Sequence, residues 1–328
     1  MRTHVCFWVR TLLVTLSAAW DLPPAGDSDR DGIADEREQA LLEKFRPTFL
    51  ISVADCDLLP AEFLAGSEKP RAVARNGTIY GQVFPRSSRS ENSALVEIHY
   101  YHLWARDCGR TGHALDAEHV AVLVSGEPSQ PVSAWRAVYW YAAAHEDTLC
   151  DRSAATRASA IGAEDRGSVV WVSHGKHASF FSLAGCDKGC GQDRCGEAMA
   201  LSPAAMINIG EPGAPLNGAV WAASRDWPLA QKMRTAFSDD LLAQLAEADG
   251  EFLVTRSHQR LQQVISAGST SLAVVGVSND HTSAAMSAAG ASTNRALGAS
   301  ARSVGRSFRR AESFIRQALP VEQPNSSR

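Results

Sequence analysis

From Leu95 to Trp104 the side chains alternate. Glu97, His99 and Tyr101 fall on one face and Ile98, Tyr100 and His102 on the other, the two-residue period of a strand. The period returns after Gly112, where Asp116, Glu118, Val120 and Val122 share a side, and again in the aromatic run from Trp135 to Ala144, whose rings read as core. Gly167-Ser168-Val169-Val170-Trp171-Val172 is an apolar run of the buried-strand kind. Ala72–Arg75 and Thr78–Val83 flank Asn76-Gly77, which predicts a two-residue hairpin. Trp221 to Trp227 predicts a last strand.

Helical signals sit towards the two ends. Glu38 to Phe45 is helical until Arg46-Pro47 stops it, and Ser238 before Asp239-Asp240 caps a helix through Leu245. The predicted class is mainly β. A β-sandwich core over 46–235 follows a loop and helix at 20–45 and precedes a helical, Ala/Ser-rich C-terminal region at 236–328. In that region Leu297, Ala301, Val304, Phe308, Ala311, Ile315 and Ala318 form one apolar stripe, with Arg295, Arg302, Arg309 and Arg316 on another face. Such a helix either packs ordinarily or lies on a membrane surface or a partner.

Composition adds a compartment. The 328 residues, 45% apolar, suffice for a sizeable core, and a net charge of −4 gives no reason to invoke nucleic acid. Arg2 and Arg10 precede Thr11-Leu12-Leu13-Val14-Thr15-Leu16-Ser17-Ala18-Ala19, a short apolar run ending in small residues. This predicts a signal peptide at 1–19, a secreted or periplasmic protein, and no transmembrane segment once it is cleaved. Cleavage removes Cys6 and leaves Cys56, Cys108, Cys150, Cys186, Cys190 and Cys195, an even number that predicts disulfides. Zinc on Cys186, Cys190 and Cys195 is the alternative, but their spacing does not fit the usual zinc motifs.

The most specific chemistry lies at Asp27 to Glu38. Asp27, Asp29 and Asp31 supply carboxylates, Gly32 the sharp turn, Ile33 a backbone carbonyl, Asp35 a direct or water-mediated ligand and Glu38 a bidentate one, the full pattern of a calcium loop. The alternative is an acidic helix start whose aspartates merely cap. No helix precedes the loop, because Pro23-Pro24-Ala25-Gly26 is a linker. It therefore resembles the single Asp-rich loops of thrombospondin type 3 and dockerin-like repeats rather than a paired EF-hand.

A second candidate cluster sits at the start of the Asp116 strand. Asp116 and Glu118 on one strand face repel unless a cation lies between them, and His113 is in reach. Oxygen ligands with a histidine at the edge suit a divalent Ca²⁺, Mg²⁺ or Mn²⁺. An exposed polar strand edge is the alternative. Gly112-His113-x-x-Asp116-x-Glu118 resembles the heptapeptide of the necrosis-inducing, Nep-like cytolysins, with Ala114, Leu115 and Ala117 in place of its Arg, His and Trp. The stretch also resembles a vacuolar protein-sorting family of unknown function, as do Leu41 to Pro47 and Ser173-His174-Gly175-Lys176-His177-Ala178-Ser179. The resemblance covers about residues 44–235. It implies a β-sandwich, a divalent cation held by His113, Asp116 and Glu118, and a membrane lipid or glycan head group as ligand. The histidine completing that site is expected to be His177, with Lys176 facing an anion and Asp107 a further candidate ligand. No Gly-x-Ser-x-Gly or His-Glu-x-x-His occurs, which disfavours the alternative of a metal-dependent hydrolase. A structural, calcium-stabilised exported protein is the third reading.

Overall fold

The computed structural model describes residues 26–254, except 91–92, 110–111, 149, 191–192, 212, 228 and 249. The expected signal peptide and the apolar stripe from Leu297 lie outside these residues. In chain order come α1 (Asp35–Lys44), β1 (Thr48–Ser52), β2 (Glu62–Phe63), β3 (Ala72–Ala74), β4 (Ile79–Ser90), β5 (Ser93–Arg106) and β6 (Ala114–Gly126). There follow β7 (Arg136–Ala142), β8 (Ala154–Arg157), β9 (Val169–Val172), β10 (Ser179–Phe180), α2 (Leu183–Asp187) and β11 (Ala198–Ala200). The last elements are β12 (Met206–Asn208), β13 (Gly210–Glu211), β14 (Ala214–Pro215), α3 (Leu229–Lys232), α4 (Asp239–Glu247) and β15 (Phe252–Leu253).

Two sheets carry the molecule, as the alternation predicts. The larger runs β12-β4-β5-β6-β7-β8-β15, and the smaller β10-β9-β1-β11. Between them lie Phe49, Ile51, Val170 and Val172 of the small sheet and Ile98, Tyr100, Val120, Val122 and Trp140 of the large one, all buried. The far side of the large sheet is covered too. Tyr80, Tyr101 and Leu103 pack with Trp221, Trp227 and Leu229, and Ala121, Leu123 and Tyr141 pack with Phe237, Leu241 and Leu245. Strand β5 is therefore buried on both faces. Its alternating polar residues find partners inside the protein: His99 Nε2 pairs with Glu97 at 2.7 Å and His102 Nε2 with Ser179 at 2.9 Å.

Helix α1 closes one flank of the sandwich through Leu41, Leu42 and Phe45. Leu42 lies so close to β4 that a Cβ on Gly81 would come within 2.2 Å of its side chain. A larger residue there would force the Leu42 side chain to move.

Three expectations change. Asn76-Gly77 joins no hairpin: β3 pairs with β2, and β4 with β5 and β12. The Asn76 carboxamide oxygen accepts from Thr78 N (3.1 Å) and its Nδ2 donates to Glu62 (2.7 Å), so the turn passes the chain between sheets. The run Trp221 to Trp227 starts as a 3₁₀ turn at Val220–Ala223, because both indoles pack on Phe63 rather than joining a sheet edge. Finally, β15 pairs with β8, so the large sheet extends past residue 235. The described residues all fall within one compact unit.

Candidate functional site

The loop before α1 is fixed by its own carboxylates. Asp27 accepts from Arg30 N (2.6 Å) and Gly32 N (3.1 Å), Asp31 accepts from Ile33 N (2.7 Å), and Gly32 turns the chain at φ +96°. Ser28 donates its N–H (2.8 Å) and hydroxyl (2.6 Å) to Asp35, and these bonds hold that carboxyl below its usual range. The N-cap of α1 is Ala34, which supplies no side-chain cap, so capping does not account for the aspartates. Asp27, Asp29 and Asp31 bring ligand atoms within 4.8 Å of one another, as do Asp29, Asp35 and Glu38.

What remains unpaired is informative. Both oxygens of Asp29, Oδ2 of Asp31 and Oε1 of the fully buried Glu38 have no hydrogen-bond partner. Burial, then the charge of Asp29, pushes the Glu38 carboxyl up to about 9 against the pull of a 2.7 Å bond from Asn208. Burial raises Asp31 to about 6, and burial with the neighbouring Asp27 raises Asp29. An uncompensated buried carboxylate costs roughly several kcal/mol. Clustered oxygens, a positive-φ glycine and unpaired carboxylates fit Ca²⁺, which takes six to eight oxygen ligands.

The second set is divided by the fold. Register places Asp116 opposite Trp104 and Glu118 opposite His102. The loops after the parallel neighbours β1 and β9 meet at one end of the small sheet, which brings Asp55 and His177 together. His177 Nδ1 lies 2.8 Å from Asp116 Oδ2, and Nε2 lies 3.3 Å from Asp55 Oδ1. Trp104 stacks on the imidazole at 3.8 Å, with the planes 7° apart. Burial alone would drive the imidazole neutral, but bonds to Asp116 and Asp55 overcome it and raise His177 to about 9. Against burial, His177 in turn, helped by Lys232 and His113, holds the Asp116 carboxyl below its usual value. Burial, then the charge of His177 beside Trp104, pushes His102 down to about 3, and this neutral ring bridges Ser179 (2.9 Å) and Trp104 Nε1 (2.9 Å).

Glu118 meets a different cation. Strand β7 joins β6 from Val120 to Ser125, so the backbone at Ala117 receives α3 instead. The Lys232 ammonium donates to Ala117 O and to Glu118 Oε2, the latter at 2.9 Å. Burial raises Glu118 to about 7 despite the lysine. Glu118, Glu146 and Asp116 in turn raise Lys232 against its own burial. His113 is exposed and faces Asp107 at 3.7 Å. His113, Asp116, Glu118 and His177 thus do not form one coordination shell. Asp116 is paired with a histidine and Glu118 with a lysine, so the set does not fit a second divalent cation as it stands.

Asp55, Trp104 and Lys232 were not legible as partners in the sequence. The parallel pairing of β1 with β9 would have signalled Asp55. Nothing local signals Lys232. His174, next to His177, is exposed. Lys176 lies at the rim, its Nζ 3.4 Å from Cys190 O.

The six cysteines pair as Cys56–Cys108, Cys150–Cys190 and Cys186–Cys195, which excludes zinc there. The first bridge ties the Asp55 loop to the end of β5. Among the described residues no helix is long and apolar enough to cross a membrane.

No family model matches the chain, and no curated protein does. Solved structures of necrosis-inducing proteins are similar to it. NLPPya in complex with glucosamine is 15% identical, covering 65% of this chain and 90% of that one at TM-score 0.32. A structure described as a toxin fold for microbial attack and plant defense is 17% identical, covering 52% and 72% at TM-score 0.27. The non-toxic HaNLP3 protein is 16% identical, covering 63% and 89% at TM-score 0.28. These belong to the family that the Gly112–Glu118 motif resembles.

Proposed function

We propose that this chain is an exported calcium-binding protein whose β-sandwich presents a polar head-group site around Asp116 and His177. The observation that carries the calcium reading is the set of buried carboxylate oxygens on Asp29, Asp31 and Glu38 that no donor satisfies. The ion is held by Asp27, Asp29, Asp31, Asp35 and Glu38, with the Ile33 carbonyl as backbone ligand. Its role is to neutralise this cluster and so fix α1 on the sandwich. Calcium should raise the melting temperature of the mature, disulfide-bonded protein, and Asp31→Ala combined with Glu38→Gln should remove that rise. An undiminished response in the double variant sinks the calcium reading.

At the second site the buried Asp116–His177–Asp55 row underlies a rim of Asp107, exposed His113 and Lys176. Carboxylate, imidazole and ammonium side by side suit a head group carrying both hydroxyls and charge, as in a glycan or a lipid head. Binding of the exported protein to a panel of amino sugars and glycolipid vesicles checks this reading. Asp107→Asn with His113→Ala should lose the binding while keeping the melting temperature, and equal binding by this pair overturns it.

A further inference from the structure

At the opposite end of β5 from Trp104, α1 and the strand ends beside it enclose a cavity of about 340 Å³. Ile33 before the helix, Ala94 and Val96 of β5 and Trp135 before β7 give it apolar walls. Its size falls within that of small-molecule sites, roughly 300–1,000 Å³. The wall between β6 and β7 is held by α1 itself. Arg37 donates to Pro128 O (2.9 Å) and Gln130 O (2.8 Å), and Lys44 Nζ donates to Val132 O (3.0 Å) and Ser133 O (2.9 Å). Trp135 is seated against the bare backbone of β6, where a Cβ on Gly126 would come within 2.4 Å of the indole.

Two polar groups of this lining lack a matching partner among the described residues. Trp135 is 2% exposed, and its Nε1–H, which can only donate, is buried without an acceptor. The Arg37 guanidinium lies 5.6 Å from the centre of the indole ring, and it forms no ion pair with a described carboxylate. Its bonds go to carbonyl oxygens instead. Arg86, the other arginine of the lining, is already matched by Asp239 (3.4 Å) and Glu97 (3.9 Å). A buried donor without an acceptor is costly, and an oxygen supplied by a ligand removes that cost.

We propose that this cavity binds a small organic carboxylate with an apolar, ring-sized body. The apolar walls take the body, Arg37 pairs with the carboxylate, and Trp135 Nε1 donates to an oxygen of the same ligand. The site is distinct from the head-group site, and the inference does not rest on the calcium reading.

Calorimetric titration of 1-naphthaleneacetate into the mature, disulfide-bonded protein tests this, with calcium held at one concentration throughout. The acid should bind with a Kd below about 1 mM, as expected of a fragment-sized ligand. The uncharged 2-(1-naphthyl)ethanol should bind at least about tenfold more weakly, since it cannot pair with a guanidinium. Arg37→Met should bring the two probes to within about twofold of each other, because the preference for the acid is the arginine's alone. Ala94→Phe, which fills the cavity, should lose both probes and melt no lower than the parent. No binding of the acid by the parent overturns the inference. So does equal binding of acid and alcohol, which would leave an apolar cavity without a carboxylate site. Undiminished binding by Ala94→Phe also overturns it, since the probe then sits elsewhere. Should Arg37→Met fail to fold, the acid-to-alcohol ratio of the parent and the Ala94→Phe result decide.

Discussion

Trp104 and His177 lie face to face at 3.8 Å, and two carboxylates flank the imidazole. A charged ring held in this way is stabilised both by its ion pairs and by the indole face. The sign of the pH effect follows from the direction of the shift. His177 is raised to about 9 in the folded protein from an ordinary 6.5. Its contribution is therefore full below pH 6.5 and is lost as pH rises through 9, up to roughly 3 kcal/mol. Urea unfolding between pH 6 and 10 should show this decline, and His177→Gln should flatten it. Lys232 makes a second residue-scale case. With Glu118 buried on it, Lys232→Met should cost about 3–5 kcal/mol, because one charge is left buried alone. Glu118→Gln together with Lys232→Met should recover most of that loss, and a double-mutant cycle read by denaturant unfolding measures the coupling.

At the scale of elements, Gly81 and Leu42 decide how α1 sits. An added methyl at Gly81 meets Leu42 Cδ2 at 2.2 Å, so Gly81→Ala should destabilise by about 1–3 kcal/mol through overpacking. Leu42→Val on top of it should relieve part of the strain, and thermal unfolding of the three proteins compares them. The strands around this contact were legible from period-two alternation, and the end of α1 from the Arg46-Pro47 stop. Asn76-Gly77 misled because a local turn signal does not say which strand the chain reaches next; Glu62, fourteen residues back, held the asparagine. The aromatic run from Trp221 misled for a related reason. Its indoles have a better use covering Phe63 than extending a sheet. At the sites, the acidic cluster before α1 could be read because its carboxylates follow one another in sequence. Lys232 could not, since it reaches β6 only through tertiary packing.

At the scale of the whole molecule, the two charged clusters occupy different places on one large sheet. Glu38 is held by Asn208 of β12, which aligns with Gly81 of β4 and, through it, Tyr100 of β5. Asp116 of β6 aligns with Trp104 of β5. Three strand spacings and four residues along a strand separate these positions, roughly 20 Å. Sites this far apart without shared partners usually behave additively. The calcium loop should therefore stabilise the sandwich independently of the Asp116–His177 row. The test is a thermodynamic cycle. Calcium should raise the melting temperature of His177→Gln by the same increment as that of the parent, although the variant starts lower. A smaller increment would mean that the strands between the clusters transmit a structural change, and that calcium controls the geometry of the head-group site. Equal increments would leave calcium acting on the flank of the sandwich alone, with recognition at the other cluster free of metal control.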